Sequence, residues 1–140
     1  MSHAKLKVVG GSKKRMYGPR CMLVCGFLPA QRKDILTMIE KKFKNMPVVF
    51  TAKKDPLELM KNMVIRGHQT GLDSECELER AIIMSGLTEK QLHQSMAAYK
   101  KLKLPKPLWA TLTPTSEKWT VEALLAELAN ERLSFEKQEN

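Results

Sequence analysis

The sequence predicts an α/β fold: two tandem βαβα repeats forming a four-stranded, mainly parallel sheet with helices on its faces. Three observations carry this. Short apolar runs alternate with stretches of helical period along the chain. The two halves superpose at a constant offset of 60 residues, which lays Met22-Leu23-Val24-Cys25-Gly26-Phe27 on Ile82-Ile83-Met84-Ser85-Gly86-Leu87. Gly26/Gly86, Gln31/Gln91, Pro47/Pro107 and Thr51/Thr111 are identical at that spacing. The segments between strands are long enough to hold whole helices, as parallel neighbours joined by right-handed crossovers require. The expected strand order is 2-1-3-4, with a ferredoxin-like α+β sheet as the alternative.

Taken in order, residues 1–20 hold Lys5, Lys7, Lys13, Lys14, Arg15 and Arg20, several glycines and no acid, and read as a basic arm. Residues 21–136 read as one α/β domain with repeats at 21–66 and 81–135, and 137–140 as a frayed tail. Cys21 to Cys25 is the first strand, closed by Gly26. A helix follows from Pro29 to about Lys44, with Ile35, Leu36, Ile39 and Phe43 on its apolar face and Arg32, Lys33, Lys41, Lys42 and Lys44 on the remainder. Pro47 to Thr51 is the second strand. Asp55-Pro56-Leu57-Glu58 has the form of a capping box, so a helix should open there and bury Leu57, Met60, Met63 and Val64. Residues 66–79 are a polar connection.

The third strand is Ala81 to Ser85, closed by Gly86. Thr88 and Gln91 form a capping box for the next helix, with Leu87 and Leu92 as its hydrophobic staple. Leu108 to Leu112, fenced by Pro107 and Pro114, is the fourth strand, and Pro47 and Pro107 should sit at strand starts, where a missing amide costs least. Thr120 caps the last helix, Val121 to about Phe135, and Trp119 before it should pack on Leu124. The repeat makes Pro107–Thr111 the counterpart of Pro47–Thr51, so Trp109 is expected in the core.

Composition bounds the chemistry. The chain has the length of one ordinary domain and carries no apolar run long enough to span a bilayer and no secretory signal. Its net charge of +9 is uneven: residues 1–66 hold 15 Lys+Arg against 4 Asp+Glu, and residues 67–140 hold 9 against 11. A basic first part attracts nucleic acid, an anionic surface or an acidic protein. Three cysteines form no paired framework, which suits a reducing compartment. Cys21 and Cys25, four residues apart on a strand, are separated by roughly 13 Å and cannot share a ligand. His3, His68 and His93 fall in separate segments, so no metal site and no cofactor is expected.

Ser85 and Ser116 are the hydroxyls nearest to a nucleophile's placement, but neither lies in GxSxG or has a neighbouring histidine, and capping or turn bonds account for both. In open α/β sheets ligands gather at strand carboxyl ends. Those ends are Gly26-Phe27, Thr51-Ala52, Ser85-Gly86 and the turn Thr113-Pro114-Thr115-Ser116, none of which has a phosphate-loop pattern. No catalytic residue is expected.

Ala81–Leu87, then Leu108–Thr120 with Thr113-Pro114-Thr115-Ser116 and Trp119-Thr120, then Leu124–Leu128 resemble an uncharacterised family of small α/β domains. Its bacterial, plant and algal members carry a TPTS or TPTN turn followed by Trp-Thr. The resemblance supplies no catalytic residues. It extends to plastid relatives that include a photosystem I assembly factor, which implies a non-catalytic assembly role in the chloroplast stroma or on the thylakoid surface; without that plastid link the compartment is the cytoplasm.

The expected function is therefore a binding or scaffold domain of a larger assembly. The alternative is an RNA- or ribosome-associated protein, although Tyr17, Phe27, Phe43 and Phe50 form no RNP-like motif. A small-molecule or enzymatic role ranks last. The binding residues expected are Thr113, Pro114, Thr115, Ser116, Lys118 and Trp119 in the turn, and Lys13, Lys14, Arg15, Arg32, Lys33, Lys41 and Lys42 in the basic part.

Overall fold

Strands β1 (Cys21–Cys25), β2 (Val48–Phe50), β3 (Ala81–Ser85) and β4 (Leu108–Thr111) form a single open sheet in the order β2-β1-β3-β4, the order expected. This computed structural model describes residues 14–139, so residues 1–13 of the basic arm, Lys13 among them, lie outside the described residues. Helices α1 (Pro29–Lys42) and α3 (Glu89–Lys100) cover one face, and α2 (Met60–Met63) and α4 (Val121–Glu139) cover the other. Every residue of β1 and β3 is buried. A central strand with helices on both sides has no solvated face, which is why its sequence is a continuous apolar run.

β1 pairs parallel with β2, and β3 parallel with β4, but β1 and β3 meet antiparallel. The sheet is thus mainly parallel, as expected, with its one antiparallel junction between the two units. The connection from β2 to β3 is not a second crossover but the long stretch containing α2 and residues 66–79, which delivers the chain to β3 from the opposite end. The two βαβ units are thus joined edge to edge around a pseudo-twofold axis. Leu23 pairs with Ile83, its own counterpart at offset 60, so the axis passes through that pair. A second reciprocal contact lies on the same axis: Met60 N–H donates to Trp119 O (2.8 Å) and Val121 N–H donates to Glu58 O (2.9 Å), around a Leu59–Thr120 bridge.

The symmetry explains the glycines. The segment entering β3 crosses Gly26, and the segment entering β1 crosses Gly86. A Cβ on Gly26 would collide with the Leu78 carbonyl oxygen, and one on Gly86 with the Gly18 carbonyl oxygen. Both residues also hold positive φ, +78° and +69°, where an L side chain is strained.

The repeat does not keep its offset to the end of each unit. Residues buried on α1 (Arg32, Ile35, Ile39) and α3 (Leu92, Ser95, Tyr99) correspond at 60, yet Met22 pairs with Val48 while Ile82 pairs with Trp109, an offset of 61. After α1 the chain turns through Asn45 (φ 56°) and reaches β2 by Met46-Pro47; after α3 it turns through Lys103 (φ 59°) and takes Leu104-Pro105-Lys106-Pro107. The longer link moves the register by one. Because strand side chains alternate, a slip of one reverses the faces, so Trp109 is the counterpart of Val48 and Pro107 is not the counterpart of Pro47. Trp109 sits partly buried on the α1/α3 face, edge-on to Tyr99 at 5.5 Å between ring centroids.

The helix expected from Asp55 is also corrected. Residues 52–59 are turns, α2 begins only at Met60, and Leu57 is 72% exposed rather than buried. Asp55 spends its carboxylate elsewhere: Oδ2 accepts from Ala52 N–H (2.7 Å) and Arg66 Nη1 (3.1 Å). Met60, Met63 and Val64 are buried as expected. Thr88 forms its capping box with Gln91, and Thr120 caps α4 by accepting from Ala123 N–H at 3.2 Å. α4 runs past Phe135 to Glu139. Loop residues 68–70 close the outer edge of β2, where Gln69 N–H donates to Val48 O and Phe50 N–H donates to Thr70 O.

Candidate binding surface

The antiparallel junction separates the strand carboxyl ends expected to lie together. Those of β1 and β2 fall at one edge of the sheet, and those of β3 and β4 at the other. No single crevice receives all four, so the ligand-gathering rule for parallel sheets has no common site here.

At the β3/β4 end most of the chain's polar groups bond one another, and one buried hydroxyl does not. Arg15 forms a bridge with Thr88, donates from Nε to Gly86 O (3.0 Å), and is followed by Met16 N–H donating to Leu87 O (2.8 Å). Residues 14–20 therefore lie as a strap across that end, with Lys14 at its start. The buried Ser85 hydroxyl makes no hydrogen bond and sits directly under Gly18. In the turn, Thr113 N–H donates to Ser116 Oγ (3.0 Å) while Ser116 N–H donates to Thr113 Oγ1 (3.0 Å). That reciprocal cap opens a short 3-10 turn, Ser116–Lys118. Pro114, Thr115 and Lys118 stay exposed, Ser116 is buried, and Trp119 packs half-buried on the core face that contains Leu124. The Tyr17 hydroxyl bonds Glu117, which together with the carboxylate charge raises the Tyr17 pKa.

At the β1/β2 end Thr51, Asp55 and Arg66 gather with Cys25 and Cys76. The buried Asp55 carboxylate is paired with Arg66, which also approaches Glu58 at 3.6 Å. Burial pushes the Cys21 thiol up to about 12 and the Cys25 and Cys76 thiols upward as well, Cys25 further by the charges of Cys76 and Asp55 and Cys76 further by that of Asp55. Thiols held protonated are poor nucleophiles and poor metal ligands. Among the described residues no group of three or more His, Cys, Asp or Glu side chains is arranged to hold a metal ion. The Thr51 hydroxyl, close to both thiols, meets no hydrogen-bond geometry.

Arg32 does not belong to the solvated basic face. It is 2% exposed, in the helical position that Leu92 fills in the second unit. Its Nε donates to Phe27 O (3.0 Å) and its Nη1 to Gly71 O (3.3 Å) and Leu72 O (3.2 Å), tying the long loop to the start of α1. Desolvation lowers its pKa, against the opposing charges of Cys76, Glu75 and Asp73.

Lys33, Lys41 and Lys42 are exposed on α1. Lys41 and Lys42 border a shallow groove of about 440 Å³ between α1 and α3, together with Lys101 from just beyond α3. Met38, Ala98 and Leu102 supply its apolar lining, and Asp34 and Thr37 complete it. Met38 and Ala98, and Lys41 and Lys101, are counterparts at offset 60, so the groove lies where the two units' outer helices meet.

Residues 80–135 match the family model of a domain of unknown function, DUF3783. No curated protein and no solved structure matches the chain. The DUF3783 segment covers β3, α3, β4, the 3-10 turn and most of α4, which is the second βαβα unit and the span that carries the Thr-Pro-Thr-Ser and Trp-Thr residues.

Of the residues the sequence singles out, those in the turn after β4 come together with each other, and Lys41 and Lys42 come together with Lys101, which it does not single out as a binding residue. Arg15 and Arg32 go to backbone carbonyls. Lys101 was legible as a candidate, since it repeats Lys41 at offset 60, but its helix-end lysines are also explained by the helix dipole. The Thr51–Asp55–Arg66 group had no local signal, because its members are brought together only by the turn that replaces the expected helix.

Proposed function

We propose that the protein is a non-catalytic binding domain that docks an acidic partner within a larger assembly. One observation supports this above others: the lysine-bordered groove between α1 and α3 is an outward surface with both charge and apolar lining, while Arg15, Asp55, Thr113 and Ser116 at the strand ends are bonded internally. A finer form of this reading, suggested by the plastid side of the family resemblance, is that the assembly is photosystem I and that the domain works in the stroma or on the thylakoid surface. The test is size-exclusion of native extract followed by mass spectrometry. The expected result is elution well above 15.9 kDa with a co-eluting partner, and photosystem I subunits in those fractions for the plastid form of the reading. A monomer without partner at native concentration overturns it.

The concentration of positive charge in residues 1–66 favours a second reading, RNA or ribosome association through phosphate contacts. Filter binding with RNA at low and moderate salt tests it: retention that falls steeply with salt is expected, and no retention at low salt ends it.

A further inference from the structure

We infer that the groove between α1 and α3 is a docking site for an acidic amphipathic helix of a partner protein. This rests on the binding-domain reading and specifies its surface and ligand. Charge comes first. Lys41, Lys42 and Lys101 border the groove, with Asp34 as the carboxylate among its lining residues. They stand on a chain of net charge +9, so the field attracts an acidic ligand and sets its encounter rate and salt dependence.

The lining selects among acidic ligands. Met38, Ala98 and Leu102 present aliphatic surface, and methionine adapts to varied apolar side chains. A phosphate backbone offers nothing to such a floor. Bases would stack on aromatic rings, and among the described residues none lines this groove. A helix with leucines on one side and glutamates beside them satisfies floor and rim together, laying its apolar stripe between two helices.

The shape follows from the repeat. Counterpart residues stand on both walls, Met38 against Ala98 and Lys41 against Lys101, because the pseudo-twofold axis brings α1 and α3 together on this face. The opposite face of the sheet is closed along the same axis by the reciprocal bonds between Met60 and Trp119 and between Val121 and Glu58. Between α1 and α3 the cleft stays open, and Ala98, the smaller counterpart of Met38, leaves the room.

The probe is a fluorescein-labelled 16-residue helical peptide with leucines at i, i+3, i+4 and i+7 and glutamates beside them, read by anisotropy on the full chain. Its Gln-for-Glu counterpart and a 16-nucleotide oligouridine are the comparison ligands. The glutamate peptide is expected to bind at micromolar concentration, about tenfold more tightly than the glutamine peptide, and to weaken several-fold from 50 to 300 mM salt. Lys41→Glu/Lys101→Glu should weaken it about tenfold. Lys61→Glu, exposed on α2 across the sheet, makes the same kind of charge change and should leave most of the affinity. Methyl resonances of Met38 and Leu102 should shift on titration. Unmoved methyls, equal losses in both variants, or oligouridine binding more tightly at the same methyls would overturn the proposal. If the native-extract partner stays bound to Lys41→Glu/Lys101→Glu, the docking site falls while the binding-domain reading stands.

Discussion

Arg32 shows why a helical wheel alone misplaced one cation. Its position on α1 is that of Leu92 on α3, facing the sheet, but the loop at Gly71 and Leu72 offers carbonyl oxygens there that a leucine cannot satisfy. The sequence carries that loop some 40 residues away, so no local pattern could pair it with Arg32. Arg32→Leu should destabilise the fold by about 2–3 kcal/mol, because three carbonyls lose a charged donor in a buried place, and urea unfolding measures it. Arg32→Lys should restore little, since a single ammonium cannot reproduce the guanidinium's spread of donors. The buried thiols give a second prediction. Cys21 and Cys25 are held protonated in the fold, whereas in the unfolded chain they ionise near pH 8.5. The folded state then binds more protons, so stability is full below that pH and falls as pH rises. Between pH 8 and 9.5 the pair should cost about 2–3 kcal/mol, and a Cys21→Ala/Cys25→Ala variant should flatten the slope in urea titrations at successive pH values.

Strand and helix existence is legible because it rests on local periodicity, and the caps at Thr88 and Thr120 are legible because their partners lie three residues away. Element ends were less legible. Asp55, Pro56 and Glu58 satisfy the helix-start pattern, but Asp55 is drawn to Ala52 and Arg66, and the reciprocal bonds at Met60 and Val121 fix where α2 can begin. Likewise the one-residue slip between β2 and β4 is invisible in a gapless alignment, because a shorter α3 and a longer link nearly cancel. The turn after β4 is the element most open to a direct test. Thr113 and Ser116 cap each other, so Thr113→Ala should cost about 1 kcal/mol. It should also alter the tryptophan emission, since Trp119 follows the 3-10 turn directly and takes its position from it. An unchanged midpoint and spectrum would show that the turn holds without its cap.

At the scale of the whole molecule the duplication was legible, but the direction in which its halves meet was not. Tandem βαβα units read as a mainly parallel sheet, but the place of an antiparallel junction depends on how the link between the units returns, and residues 66–79 carry no signal of that kind. The antiparallel junction makes the chain a fused pair: Leu23 faces Ile83, Glu58 and Met60 mirror Trp119 and Val121, and the segments entering β1 and β3 each cross the other unit's closing glycine. For each first-unit residue in those contacts the second unit holds a counterpart: Ile83 for Leu23, Trp119 for Glu58, Val121 for Met60 and Gly86 for Gly26. A fragment of residues 76–139, which includes the DUF3783 segment, loses β1 from the open edge of β3 and the α1 side of Ile82 and Met84. A monomer of it would expose a flat apolar edge strand, the kind that seeks a partner. Two copies pairing β3 to β3 around Ile83 would restore the same register, with Val121 N–H of each reaching the other's Trp119 carbonyl. The fragment should therefore sediment as a dimer at about 100 µM and unfold at a concentration-dependent temperature. A folded monomer at that concentration would show that the second unit does not need the junction, and that the axis in the full chain joins two self-sufficient halves.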